Sequence, residues 1–284
     1  MKAPQFAYVR ARSLAEVFEL LAAHGDGAKL LAGGQSLIAA LNMRLSSPRL
    51  LIDITRLTEL SGIQLRDGVV RIGALTTHAE IERSPEIRKN LPLLAQAAPH
   101  IAHPAIRNVG TLGGSIALAD PAAEWPACCV ALDAQFTIAG KTGTRRIAAR
   151  DFFKGLYATA LKPVEVLTHV EIRMPGPDYR SAFVELAQRR GDYAIAGLAA
   201  VAKRAGGTLT DLRLAFLGMG QAPVLARGAM AAMEGRRAEA DSIAAASQAL
   251  TRDLDPAPDL YSSAATKMHL ARALTGRALA ALAA

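Results

Sequence analysis

Thr111-Leu112-Gly113-Gly114-Ser115 and Ala32-Gly33-Gly34-Gln35-Ser36 are the most telling stretches of this chain. Each is a glycine pair followed by a polar residue. Each sits where an apolar run meets a predicted helix. Glycine has no side chain, so a ligand can come close to its backbone N–H groups. Such groups at a helix start attract anions. Taken singly, either loop reads as a tight turn. Two of them in one domain predict a diphosphate held from two sides, and so a dinucleotide cofactor.

Around the first loop the pattern is helix, strand, loop, helix, strand. Ser13-x-x-Glu16 reads as a capping box, and Leu14, Val17, Leu20 and Leu21 line one face of the helix it opens. Gly25 can end that helix. Lys29-Leu30-Leu31 is a short strand running into the glycines. Leu37, Leu41 and Leu45 suggest a second helical face, which stops at Ser47-Pro48. The next strand is Leu50 to Ile54.

Around the second loop, Asp67-Gly68 between Ile63-Gln64-Leu65 and Val69 to Ile72 predicts a type I′ hairpin. Thr77-x-x-Glu80 and Ser84-Pro85-Glu86 read as helix starts. Prolines break the helical region from Pro92 to Pro104. A second hairpin is predicted around Gly140 to Gly143, and Val164 to Met174 reads as an alternating strand. Pro175-Gly176-Pro177-Asp178 is the clearest linker. Beyond it, Phe183 to Leu186, Ile195 to Val201 and Leu209 to Leu217 read as strands, with Gly206-Gly207 as a turn. From Val224 the chain is alanine-rich and helical. Strands followed by helices predict an α+β unit.

Composition narrows the function classes. The 284 residues are 51% hydrophobic and 20% charged, which reads as globular. No apolar run reaches the ~18 residues of a membrane span. The opening MKAPQFAYVR lacks the apolar core of a secretory signal, so a cytoplasmic location is expected. The net charge of +8 permits nucleic-acid binding, but the basic residues are scattered and only 5% of residues are aromatic. A solvated surface, or a face for an acidic partner subunit, is the better reading. Cys128 and Cys129 are adjacent and read as a buried, small apolar pair. They offer no C-x-x-C to zinc or to an iron–sulfur cluster.

Several chemistries lack their motifs. No G-x-G-x-x-G follows a strand, and Gly218-Met219-Gly220 reads as a plain turn. The P-loop and G-x-S-x-G are absent. His100 and His103 lack the further ligands of a metal site. Asp120 and Glu124 could form an acid–base pair. The Asp-Pro step instead favours Asp120 as N-cap of a helix opening at Pro121.

The segments LLAGGQSLIAALNMRL, IRNVGTLGGSIALADPAAEWPA, Asp151-Phe152-Phe153-x-Gly155 and RRGDYAIAGLAA, in that order, resemble the FAD-binding medium subunit of molybdenum hydroxylases. These are enzymes of the xanthine dehydrogenase and carbon monoxide dehydrogenase type. The resemblance spans essentially the whole chain. It implies an α+β chain: a two-subdomain FAD-binding fold, vanillyl-alcohol-oxidase/PCMH-like, over residues 1–56 and 57–175. An α+β C-terminal domain of three strands and helices follows over residues 178–284.

The resemblance also implies site residues. Lys29 and the run Leu31, Ala32, Gly33, Gly34, Gln35, Ser36, Leu37 would form the first diphosphate loop. Thr111, Leu112, Gly113, Gly114 and Ser115 would form the second. Ile101 and Ala102 would contact the adenine side or the ribityl chain, and Glu124 would lie near ribityl or adenosine hydroxyls. Leu167 would lie in a cofactor-contact strand, and Tyr193 over the flavin ring. Gln35 stands where some members have His, Asn or Thr, and Ser115 where many have Asn. Both keep hydrogen-bonding capacity.

Non-covalent FAD is thus the expected cofactor, with no catalytic side chain and no metal ligand in this chain. Molybdopterin and [2Fe–2S] clusters would belong to partners: a large molybdenum-cofactor subunit and a small iron–sulfur subunit, together a heterohexamer. Electrons would pass from the clusters to FAD and on to an external acceptor. The alternative is a self-standing FAD-dependent oxidase or reductase of the same flavin fold. That reading needs its own substrate pocket with a poised base, and none stands out.

Overall fold

A computed structural model describes residues 2–284. The chain begins with β1 (Ala7–Arg10), α1 (Leu14–His24), β2 (Ala28–Leu31), α2 (Leu37–Asn42) and β3 (Leu50–Asp53). The strands are all parallel, in the order β1-β3-β2, so helices must make the crossovers. Ser13 caps α1 by accepting from the Glu16 N–H at 3.2 Å. Glu16 in turn accepts from the N–H of Arg12 at 2.8 Å, one residue before the cap. Val17 and Leu21 pack on Leu50 and Ile52. β1 has no apolar face to read, because most of it is exposed. The leucine face of α2 is shorter than its spacing suggests. Leu41 is buried, but the helix ends at Asn42, Arg44 turns left-handed at φ 58°, and Leu45 is 75% exposed.

The middle of the chain opens with β4 (Ile63–Arg66) and β5 (Val69–Gly73). Asp67 and Gly68 both have positive φ, as a type I′ turn requires. Four short helices follow: α3 (His78–Arg83), α4 (Pro85–Asn90), α5 (Pro92–Ala97) and α6 (Pro104–Arg107). Thr77 and Glu80 form a capping box at α3. Next come α7 (Leu112–Leu118), α8 (Glu124–Ala131), β6 (Gln135–Gly140), β7 (Gly143–Ala148) and α9 (Ala149–Phe152). The small pair β8 (Phe153–Gly155) and β9 (Ala158–Thr159) precedes β10 (Val166–Arg173). The sheet order is β4-β5-β10-β6-β7, antiparallel throughout. β10 is therefore central. It does not alternate as its sequence suggests: Val166 to Val170 are all buried. Leu167, Val170 and Ile172 enter the core under the helices, while Val166 joins the core of the first sheet.

The last part is a meander of β11 (Tyr179–Ala187), β12 (Ala194–Ala205) and β13 (Thr208–Leu217), extended by β14 (Val224–Leu225). After it come α10 (Arg227–Met233), β15 (Arg236–Arg237), α11 (Ala240–Asp253) and α12 (Ala264–Ala283). One face of this sheet, through Ala196, Leu198, Leu214 and Phe216, packs on α10 to α12. The other face, through Phe183, Ala199, Val201 and Leu217, enters the core that holds Trp125 and Cys128. The third sheet thus shares a core with the second. No helix among the described residues is long and apolar enough to cross a membrane.

Candidate functional site

The two glycine loops, separated by some eighty positions in sequence, meet in space. A Cβ added to Gly33 would lie 2.1 Å from the Val109 carbonyl oxygen and 2.8 Å from the Gly110 Cα. Only glycine permits this approach. The Val109-Gly110 step leads directly into Thr111.

The loops differ in what they offer. Among the described residues, the backbone N–H groups of Gly33, Gly34, Gln35, Ser36 and Leu37 have no acceptor. Gly34 is left-handed at φ 69° and Ser36 is right-handed. Gln35 folds back, its amide donating to the Gly33 carbonyl at 3.0 Å. In the second loop, Leu112 N–H donates to Thr76 and Gly113 N–H to Ala74, while Gly114 N–H donates to the Thr111 hydroxyl. Ser115 N–H is taken by the Thr111 carbonyl. Gly113 is walled by Ala74, whose Cβ would be 2.5 Å from a Cβ at 113. The second loop therefore brings the Thr111 N–H and the Ser115 hydroxyl, and Gly113 serves close packing. The open row of N–H groups in the first loop fits an anionic diphosphate.

His78 and Trp125 fix the second loop from behind. The Trp125 indole donates to His78 Nδ1 at 2.8 Å, and the His78 N–H donates to the Gly110 carbonyl at 2.9 Å. Burial, and then the Arg107 charge, push the His78 imidazole down to about 4. It is neutral at pH 7, as an acceptor at Nδ1 must be.

Ile101 and Ala102 form a turn clamped by Arg107, which donates to both carbonyls and pairs with Glu82 at 2.8 Å. A Cβ on Gly191 would lie 2.7 Å from the Ala102 carbonyl, so the Arg189–Tyr193 loop is seated on this turn. Arg189 and Asp192 close that loop with an ion pair at 3.2 Å. Tyr193 projects from it, 74% exposed. Partial desolvation of its hydroxyl, and then Asp120 and Glu124, raise the phenol. Tyr157, also exposed, faces the Asp120 carboxylate at 3.5 Å.

Asp120 does not cap a helix at Pro121. Its carboxylate accepts from Ala122 N–H in a local turn, and α8 begins later, at Glu124, with Ala123 as N-cap. The turn holds Pro121 so that its carbonyl accepts from the N–H of Gly218, just past β13, at 2.9 Å. That contact sets the helix start downstream. Glu124 is buried; burial, and then Asp120, push its carboxyl up to about 7. Lys29 is exposed on the edge strand β2, and Leu167 is a core residue of β10.

Sequence reading passed over Glu185. It lies on β11, its side chain buried, with one oxygen 3.9 Å from His100 Nδ1. Phe183 and Glu185 are two apart and so share a face. An acid in phase with a buried phenylalanine is the signal that could have found it.

The chain matches the FAD binding domain in molybdopterin dehydrogenase over residues 4–175. It matches the CO dehydrogenase flavoprotein C-terminal domain over residues 181–282. It is 40% identical to the 6-hydroxypseudooxynicotine dehydrogenase complex subunit alpha of Paenarthrobacter nicotinovorans, over 99% of this chain and 95% of that one. It is 38% identical to the carbon monoxide dehydrogenase medium chain of Hydrogenophaga pseudoflava, over 97% and 96% of the two chains. The solved carbon monoxide dehydrogenase from Hydrogenophaga pseudoflava superposes with a TM-score of 0.97, covering 99% of this chain and 98% of that one. These matches, over nearly the whole chain, lead to one conclusion: this chain belongs to the family of FAD-binding medium subunits of molybdenum-containing dehydrogenases.

Proposed function

We propose that the chain holds FAD non-covalently and acts as the electron-exit subunit of a molybdenum hydroxylase. The observation that carries this reading is the row of free N–H groups from Gly33 to Leu37, set against Val109-Gly110. Backbone N–H groups neutralise a diphosphate without a metal. When bound, FAD supplies the redox chemistry. The residues of this chain bind and orient it. Lys29 and Leu31 to Leu37 hold the diphosphate with Thr111 to Ser115; Ile101, Ala102, Glu124 and Leu167 border the rest, and Tyr193 covers the ring. Domain limits of 1–56, 57–175 and 178–284 accompany this reading.

Electrons reach this chain from [2Fe–2S] clusters of a small subunit and leave for an external acceptor. Substrate oxidation takes place on a large molybdenum-cofactor subunit, in a cytoplasmic heterohexamer. The two relatives named above carry different substrates in their names, which accords with a substrate site outside the medium chain.

The test is co-expression with the two partner subunits. The chain should purify with both, yellow, and release intact FAD on acid denaturation. The isolated chain should oxidise no organic substrate. Turnover by the isolated chain would instead establish a self-standing flavoenzyme.

A further inference from the structure

Arg107 gathers three successive carbonyls. Its guanidinium Nη1 donates to Ile101 at 2.9 Å and to Ala102 at 3.0 Å, and its own backbone N–H donates to His103 at 3.0 Å. Ala102, in the middle, is left-handed at φ 42°, a region that alanine enters only at a cost. Charge-assisted hydrogen bonds from a buried guanidinium offset that cost. The far edge of the guanidinium pairs with Glu82 on α3, Nε to Oε2 at 2.8 Å and Nη2 to Oε1 at 3.3 Å. The same helix carries His78, whose N–H holds the Gly110 carbonyl at 2.9 Å. One short helix thus ties down both the second glycine loop and the turn at residues 101–103.

That turn seats the loop between β11 and β12. Gly191 has φ 88°, and a Cβ there would stand 2.7 Å from the Ala102 carbonyl oxygen and 2.8 Å from His103 Nδ1. His103 is exposed and its ring can swing aside. The Ala102 carbonyl cannot, because Arg107 holds it. Across Gly191 the Asp192 N–H donates to the Arg189 carbonyl at 3.0 Å and closes the loop. Tyr193 follows at once, its ring exposed. Backbone contacts at the loop's base, rather than packing of the ring itself, therefore decide where this ring stands.

We propose that Arg107 and Gly191 are positioning residues for Tyr193. Arg107 fixes the Ala102 carbonyl, and the bare Cα of Gly191 lets the loop settle on it, so that the phenol is held in one place over the flavin. This rests on the reading above that Tyr193 covers the ring. The joint between the second and third sheets then governs access to the flavin, although neither positioning side chain reaches the ring. Residues that act in series through one contact give overlapping effects when substituted, not additive ones.

The test uses the full chain loaded with FAD, together with its partner subunits where loading needs them. A phenol stacked on a flavin quenches its fluorescence, and it also screens the ring from small oxidants. Tyr193→Ala should therefore raise flavin fluorescence and speed the reoxidation of dithionite-reduced flavin by dichlorophenolindophenol. Gly191→Ala should do the same, each signal changing at least about threefold, the least expected of residues coupled by contact. Arg107→Met should act in the same direction. Arg107→Lys, which keeps a cation but not the fork, should fall between it and wild type. In a Tyr193→Ala background neither Gly191→Ala nor Arg107→Met should move either signal further. Gly191 lies in a partly exposed loop, so Gly191→Ala decides the matter should Arg107→Met fail to fold. Wild-type fluorescence and dye rate in Gly191→Ala with FAD bound, or effects that add to those of Tyr193→Ala, would overturn the positioning roles alone. A silent Tyr193→Ala, or a chain that takes up no FAD even with its partners, would overturn the flavin reading it rests on and this proposal with it.

Discussion

The Val109 carbonyl oxygen occupies the space that any side chain on Gly33 would need, 2.1 Å from where a Cβ would stand. Two loops distant in sequence are locked together by the absence of one carbon. That contact places the open N–H row beside the start of α7. Gly33 thus serves close packing as Gly113 does against Ala74, but the N–H groups from Gly33 to Leu37 stay free while that of Gly113 is bonded.

Gly33→Ala should therefore part the loops. Overpacking of this kind costs about 1–3 kcal/mol. FAD binding should weaken by about one to two orders of magnitude, measured by quenching of flavin fluorescence. Gly34→Ala should cost less, about 1–2 kcal/mol for a left-handed backbone, since its Cβ would meet only the flexible ends of Ile38 and Leu31. Wild-type affinity in Gly33→Ala would show that the contact does not shape the site.

Gly113→Val should act on the fold before it acts on the ligand. The added carbons run into Ala74, and the Gly113 N–H bond to Ala74 must break. A loss of at least about 3 kcal/mol is expected in protein stripped of FAD, read as a lower urea midpoint. Stripped Gly113→Val as stable as wild type would contradict this packing.

Tyr193→Ala should leave stability within about 0.5 kcal/mol, because the ring is exposed. FAD should remain bound. The flavin's visible spectrum, its potential and its rate of transfer to an acceptor should change. Identity with wild type in all three would remove Tyr193 from the flavin face.

His78 makes the fold acid-sensitive. Its folded pKa, about 4, lies below the ordinary value of 6.5. The unfolded chain then binds more protons between these values, so stability is full above pH 6.5 and falls as pH drops to 4. The full effect is about 3 kcal/mol. Trp125 is the only tryptophan and donates to this imidazole, so its fluorescence during urea titration reports directly. His78→Phe should flatten the fall while lowering stability at pH 7 by about 1–3 kcal/mol, because the indole N–H loses its acceptor. An unchanged pH profile in His78→Phe would assign the acid sensitivity elsewhere.

Local chemistry was enough for much of this protein. The Asp67-Gly68 hairpin, the Thr77–Glu80 capping box and the glycine-flanked meander beyond residue 178 follow from turn geometry, caps and two-residue periodicity. The glycine pairs likewise marked residues 32–36 and 111–115 as the places where backbone comes into play. What sequence could not determine was partnership across the chain. Whether an N–H is free depends on which carbonyl arrives from elsewhere: Ala74 and Thr76 claim those of Gly113 and Leu112, while nothing reaches Gly33 to Leu37. Asp120 had the local credentials of a cap, but the Pro121–Gly218 contact moved the helix start to Glu124. Glu185 is an ordinary strand residue until the segment carrying His100 packs on β11. Burial by distant segments, which leaves no local pattern, turns it into a neutral acid in the core.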